Sequence, residues 1–202
     1  MSDYQVGHPE PELFIENREN RCPVVLLLDT SASMSGEPIQ ELNKGIERFQ
    51  SSVVEDDLAA LRVEVAVVKF GGTVSVVQEF VTVDEFNPPT LEASGNTPMG
   101  IAIDKGLDML EERKAVYKNN GILYYRPWVF LITDGAPTDP WERAAQRVHA
   151  EEKQRKLLFF AVGVQEAKMT TLKQIAPVER PPMSLKGLHF EELFLWLSDS
   201  LQ

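Results

Sequence analysis

The chain has 202 residues, of which 43% are hydrophobic and 25% charged, which is ordinary globular composition and a length that suits one α/β domain with a sizeable core. The formal net charge of −11 argues against nucleic acid and anionic membrane surfaces as partners, because both need basic clusters. A single cysteine, Cys22, excludes an internal disulfide.

Residues 1–20 read as a short polar, proline-containing arm, and 21–202 as one domain. The start, Met1-Ser2-Asp3-Tyr4, has no apolar leader region, and no run approaches membrane-spanning length, so a cytoplasmic protein is expected. Cys22 to Leu28 is apolar throughout, the mark of a strand buried on both faces in a parallel sheet. Pro38 opens a helix whose Ile39, Leu42, Ile46, Phe49 and Val53 share one face. Leu61 to Phe70 and Val74 to Val83 are β-branched runs joined at Gly71-Gly72, which predicts an antiparallel hairpin. Thr97-Pro98 opens the next helix, with Ile103, Leu107 and Leu110 inward, and Asn119-Asn120-Gly121 closes it with a left-handed cap. Trp128 to Thr133 is a strand. Asp139-Pro140 reads as the cap and first position of a helix that carries Trp141, Ala145 and Val148. Leu157 to Val164 is a strand, Met169 to Ile175 a short helix and Leu185 to Leu188 a short last strand. Phe190, Leu193, Leu197 and Leu201 give a closing amphipathic helix. Strands alternating with helices predict a doubly wound α/β fold with helices on both faces of a mostly parallel sheet.

The chemistry sits where apolar strands stop. Asp29-Thr30-Ser31-Ala32-Ser33 follows the first strand and sets one carboxylate and two hydroxyls at i, i+2 and i+4. Asp134-Gly135 ends Trp128–Thr133 in the same way. Between them Ser94-Gly95-Asn96-Thr97-Pro98 is a polar glycine loop feeding a helix. A hard, weakly charged oxygen set of this kind suits Mg²⁺, or Mn²⁺ or Ca²⁺, that keeps several waters; it is too weakly charged for a closed calcium cage. Each part has a plain structural reading as well: Asp29 and Asp134 as turn residues, Thr97 as a helix cap.

D-x-S-x-S, a lone Thr and T-D-G together resemble the von Willebrand factor A domain, over about Arg21 to Leu201. The resemblance implies a six-stranded sheet of order 3-2-1-4-5-6 with one antiparallel strand. It also implies a metal-ion-dependent adhesion site made by Asp29, Ser31, Ser33, Thr97 and Asp134, whose ion accepts an Asp or Glu of a partner protein. The Tyr125–Gly135 stretch and Leu185–Leu188 with Glu191 to Leu197 look most like bacterial TerY-like (YegL-like), tellurium-resistance-associated members. That likeness implies a stress system, with kinases or phosphatases among the partners.

The competing reading is an Mg²⁺-dependent phosphohydrolase on a similar fold. Haloacid-dehalogenase-type enzymes also begin from a strand-1 aspartate but need a second Asp two residues on, and here that position is Ser31. No phosphate-cradling glycine loop is present. The sequence therefore favours a binding module over an enzyme. Tyr124-Tyr125-Arg126-Pro127-Trp128 is read as a packing or protein-contact cluster and Glu151–Lys156 as a solvated helix end.

Overall fold

The computed structural model describes residues 17–164 and 167–185, together with Glu192. Six strands form one sheet: β1 (Cys22–Asp29), β2 (Val63–Gly71), β3 (Thr73–Thr82), β4 (Trp128–Thr133), β5 (Leu158–Val164) and β6 (Met183–Leu185). Their order is β3-β2-β1-β4-β5-β6. Only β2 and β3 pair antiparallel; β1 is parallel to both β2 and β4, and β5 to both β4 and β6. The order is the one the resemblance implies.

Among the described residues the helices are α1 (Glu37–Val54), α2 (Asp57–Arg62), α3 (Met99–Asn119), α4 (Glu142–Lys153) and α5 (Met169–Ile175), with a 3-10 turn at Ala32–Met34. Val24, Leu26 and Leu28 of β1 face a core shared with Leu42, Ile46 and Phe49 of α1. Val25 and Leu27 face the opposite core, shared with Ile103, Leu107 and Leu110 of α3. All five strand residues are fully buried, which explains the uninterrupted apolar run: a central parallel strand has no solvent face. Each such side chain contributes roughly 1.5–3 kcal/mol of burial. The two cores hold β1 rigidly, and so fix where its last residue, Asp29, stands.

Five expectations need correction. The Glu151–Lys156 end of α4 is not solvated throughout: Glu151 and Glu152 are buried, because Glu151 accepts from Arg147 Nε and Glu152 from Phe159 N–H. The strand expected from Leu61 starts at Val63, because Asp57–Arg62 forms α2, capped by Asp56 accepting from the amides of Leu58 and Ala59. The last strand is Met183–Leu185, two residues earlier than read, and the rest of the expected run lies outside the described residues. Asp139-Pro140 does not begin α4, which starts at Glu142 after Trp141. Thr97 does not cap α3. The carboxylate of Asp139 instead accepts from the amides of Gly100 (3.0 Å) and Ile101 (2.8 Å), closing the first turn of α3 from another loop. The left-handed close of α3 is present: Gly121 has φ +68°, and Ile122 N–H donates back to Tyr117 C=O at 2.9 Å. The predicted closing helix, 190–201, and residues 1–16 of the arm lie outside the described residues.

A candidate metal centre at the carboxyl ends of β1 and β4

β1 and β4 are neighbours, and the connections from them leave in opposite directions. That switch point is where open α/β sheets form clefts, and it brings Asp29 and Asp134 to one place. Asp29 is the last residue of β1 and fully buried. Its Oδ1 accepts from Ser31 N–H at 2.8 Å, a local turn that curls the chain back over the strand end. Its Oδ2 accepts from the Thr133 hydroxyl at 2.5 Å. Thr133 Oγ1 in turn accepts from Gly135 N–H at 3.1 Å. Ser31 Oγ and Ser33 Oγ lie 3.1 Å apart, and Ser33 Oγ donates to Asp134 Oδ1 at 2.8 Å.

Thr97 arrives from a third loop, which is stitched down on both sides. Ser94 N–H donates to Thr30 C=O (2.8 Å), Ala32 N–H to Gly95 C=O (2.9 Å) and Gly72 N–H to Asn96 C=O (2.8 Å). The loop crosses the β2–β3 turn so closely that a Cβ on Gly95 would fall 2.4 Å from Gly72 Cα, and Gly95 has φ +74°. Only glycine meets both demands. Thr97 itself is clamped by Thr138, whose hydroxyl accepts its amide at 3.1 Å and whose amide donates to its carbonyl at 2.9 Å.

Gly135 shows how near Thr97 comes to Asp29. A Cβ built there would stand 3.2 Å from Thr97 Oγ1 and 3.5 Å from Asp29 Oδ2. The five sequence-predicted side chains thus share one cradle, open where position 135 carries no side chain. Thr133 is the residue that sequence reasoning missed. Its partner is 104 positions away, and inside an apolar run it reads as an ordinary β-former.

The electrostatics are those of two raised carboxyls without a Lys or Arg counter-charge among the described residues. Burial raises the Asp29 carboxyl above its ordinary range; the bonds from Ser31 and Thr133 offset this in part, and the Asp134 charge adds to it. Burial raises Asp134 too, with the Ser33 bond opposing. Among the described residues no Lys or Arg pairs with either carboxylate, and no three His, Cys, Asp or Glu side chains group together. Two carboxylates and three hydroxyls, with no soft donor, are what a hard divalent ion takes while keeping waters.

Residues 24–191 match the von Willebrand factor type A domain family. The chain belongs to that family. Among solved structures the chain is similar to the pilus adhesin SpaC from Lactobacillus rhamnosus GG in its open conformation (TM-score 0.73, 13% identity, 91% of this chain and 30% of that one). It is similar as well to proximal thread matrix protein 1 from the mussel byssus (TM-score 0.59, 18% identity, 90% and 48%). A third similar structure is the vWF domain of the type V pili tip protein Mfa5 from Porphyromonas gingivalis (TM-score 0.61, 10% identity, 91% and 97%). The von Willebrand factor A chain thus spans less than half the length of the first two. Among curated proteins no significant match is found. These identities speak to the fold alone.

The caps and the cradle separate by mutation. Thr97→Ala should weaken Mg²⁺ binding by about tenfold or more and leave α3 intact, since Asp139 carries the cap. Asp139→Ala should cost about 1–2 kcal/mol of stability with a smaller effect on the ion. Denaturant melts and magnesium titrations of both variants check the pair; equal stability losses would show that Thr97 shares the cap.

Proposed function

We propose that this domain is a metal-ion-dependent protein-binding module, with Asp29, Ser31, Ser33, Thr97 and Asp134 holding Mg²⁺ or Mn²⁺. The observation that carries the reading is the convergence of a buried and a half-buried carboxylate, neither paired with a cation among the described residues, with three hydroxyls at the switch point of the sheet. When bound, the ion supplies an electrophilic position that an Asp or Glu of a partner protein can fill. The chain's own residues do the rest. Thr133 and the Ser31 amide fix both oxygens of Asp29, Ser33 fixes Asp134, and Thr138 fixes Thr97, so the donors need little rearrangement. The net charge of −11 repels acidic surfaces generally, so a local positive point gives contrast to one carboxylate.

The module reading is favoured over a phosphohydrolase by Ser31, which puts a hydroxyl where such an enzyme needs its acid two residues after the strand-end aspartate. A cytoplasmic, bacterial stress setting of the tellurium-resistance type remains part of the proposal, supported by the sequence resemblance alone. No helix among the described residues is long and apolar enough to cross a membrane.

Capture of partner proteins on the immobilised domain, in Mg²⁺ and in EDTA, tests the reading. Binding should disappear in EDTA and return with Mg²⁺ or Mn²⁺. Gly135→Ala should mimic EDTA, because its Cβ occupies the cradle between Thr97 and Asp29, and should lower ion affinity at least about tenfold while changing stability by under about 1 kcal/mol. Partners captured equally well in EDTA would sink the proposal.

A further inference from the structure

Two stretches that the metal site leaves unused meet at the other end of the sheet. The run Tyr124–Trp128 leads into β4, and Glu151–Lys156 closes α4 and leads into β5. The loop before β6 brings Arg180 to the same place. All three lie at the amino ends of β4, β5 and β6, and the candidate metal site lies at the carboxyl ends of β1 and β4, one strand length of about 20 Å away.

Glu152 is the centre of this end. It is buried, and its Oε2 accepts from Phe159 N–H at 2.7 Å. Its Oε1 has two guanidinium groups against it, Arg180 Nη2 at 2.9 Å and Arg126 Nη2 at 3.5 Å. Arg126 Nη2 also donates to the Glu152 carbonyl at 3.0 Å, and Arg180 lies over the Phe160 ring at 4.9 Å. Both groups are held in place, yet their donors are not used up. Arg126 Nε and Arg180 Nε are buried with no hydrogen-bond partner, and neither Nη1 makes a hydrogen bond among the described residues. One carboxylate does not satisfy two forks of five donors each.

Arg155 is the second observation. It is the non-glycine residue with positive φ among the described residues, at +57°. It occupies the left-handed position after α4, where Arg155 N–H donates to Glu152 C=O and Lys156 N–H to Glu151 C=O, both at 2.9 Å. Glycine is the ordinary occupant of that position and arginine is strained there. Its amide shares the Glu152 carbonyl with Arg126, so the backbone of Arg155 passes next to the Arg126 guanidinium. Lys153 and Lys156 are exposed on either side of Arg155 in the sequence, Glu179 is exposed next to Arg180, and Glu111 stands close enough to Lys156 to feel its charge. In a chain of net charge −11, two guanidinium groups on one buried carboxylate leave a local excess of one positive charge, and the exposed Arg155 adds another from the adjoining turn.

We propose that Arg126, Arg155 and Arg180 form a binding site for a phosphoryl group on a partner protein, at the pole of the domain opposite the metal site. A phosphorylated side chain carries about −1.5 to −2 charge at pH 7 and three acceptor oxygens, which match the excess charge and the spare fork donors. A single carboxylate would match half of that charge. Tyr125, next to Arg126 in the chain, and Val178, two residues before Arg180, are exposed, and the Tyr125 ring already carries the Arg62 guanidinium at 5.9 Å. The site is independent of the metal.

The test is done in EDTA, so that phosphate cannot act through the cradle. The protected Nε–H signals of Arg126 and Arg180 are followed by ¹H–¹⁵N NMR during titration with inorganic phosphate, then with a phosphothreonine peptide, the unmodified peptide and its Thr→Glu version. Both signals should shift and saturate with phosphate. The phosphopeptide should bind about tenfold tighter than the Glu peptide, and tighter than inorganic phosphate. Arg180→Lys keeps the charge and loses the fork, and should weaken phosphopeptide binding about tenfold. Arg155→Gly should raise the melting temperature by relieving the left-handed strain and yet weaken phosphopeptide binding, a combination that a purely structural arginine would not give. Unmoved Nε–H signals would overturn the proposal. So would equal affinity for the phosphorylated and Glu peptides, or Arg155→Gly and Arg180→Lys variants that bind as the wild type does.

Discussion

Asp29→Asn should abolish Mg²⁺-dependent stabilisation and, in the absence of metal, make the domain more stable by about 1 kcal/mol. The two effects have opposite signs because the same carboxylate is costly alone and productive with an ion. In metal-free protein Asp29 is fully buried, its carboxyl is raised by burial, and Asp134 repels its charge. The amide keeps an oxygen for the Ser31 N–H and removes the buried charge. Wild type in Mg²⁺ at about 100 times its Kd should gain about 2.7 kcal/mol, and Asp29→Asn should gain nothing. The pH dependence follows from the raised carboxyl. The folded value lies above the unfolded one, so the penalty is absent below the unfolded value and grows as pH rises through the folded one. In EDTA, wild type should therefore lose stability relative to Asp29→Asn as pH rises from mildly acid to neutral. With Mg²⁺ the order should reverse, since the ion takes the deprotonated carboxylate. Urea unfolding of both proteins at several pH values, with and without Mg²⁺, reads all four arms. Metal-free Asp29→Asn that is markedly less stable than wild type would show that the carboxylate's hydrogen bonds outweigh its desolvation.

What the sequence discloses and what it hides divide along locality. Val24–Leu28 and Val129–Ile132 are apolar because both faces of their strands are covered, so periodicity alone places them in the centre of a parallel sheet. The carboxylates that end them are legible for the same reason, as polar residues at fixed distance from a buried run. The Gly71-Gly72 hairpin is a local signal too. The failures are contacts between loops. Asp139 has the sequence of a cap for the helix that follows it, but its carboxylate lies against the start of α3, about 40 positions earlier in the chain. Capping chemistry is satisfied by any amide pair within reach, and adjacency in sequence does not decide which. Thr133 bonds Asp29 from the next strand, a relation set by the parallel register of β1 and β4 and invisible in either segment alone. The start of β2 at Val63 departs from the expected Leu61 for a different reason. Leu61 is apolar and abuts the valine run, so the periodicity absorbs it, although Asp56 ahead of Leu58 and Ala59 carries the true signal of a short capped helix. Arg155 follows the same logic: nothing in Gln154-Arg155-Lys156 announces a left-handed residue where glycine would be at ease.

The largest loss of stability should come from Glu64→Gln, about 3–5 kcal/mol, with Mg²⁺ affinity unchanged. Glu64 is fully buried near the start of β2, beside β1 and β3. Its Oε1 takes Arg21 Nε at 3.0 Å, and its Oε2 takes Arg113 Nε at 2.7 Å and the Tyr117 hydroxyl. Burial, then the Glu64 charge, push the Tyr117 phenol well above its ordinary range, so it serves as a neutral donor. Arg21 spends its other nitrogens on the carbonyls of Glu19 and Asn17, tying the chain before β1 to the sheet. Arg113 lies over the rings of Tyr117 (5.2 Å) and Phe80 (5.8 Å), joining α3 to β3. Glutamine has almost the same shape and replaces one acceptor oxygen with a donor. Two guanidinium groups then lose their common counter-charge, and one of their N–H groups, or that of Tyr117, faces a donor. Removing one partner of a buried ionic cluster costs more than the cluster ever contributed, because the remaining charges stay desolvated. The ion should be indifferent to this change, because Glu64 sits near the amino end of its strand and the cradle at the carboxyl end of β1, with the two cores between. Urea midpoints and magnesium titrations of Glu64→Gln measure the two quantities separately. A loss under about 1 kcal/mol would mean that water enters and solvates the arginines. A parallel loss of Mg²⁺ affinity would mean that the two ends of the sheet are coupled through β1.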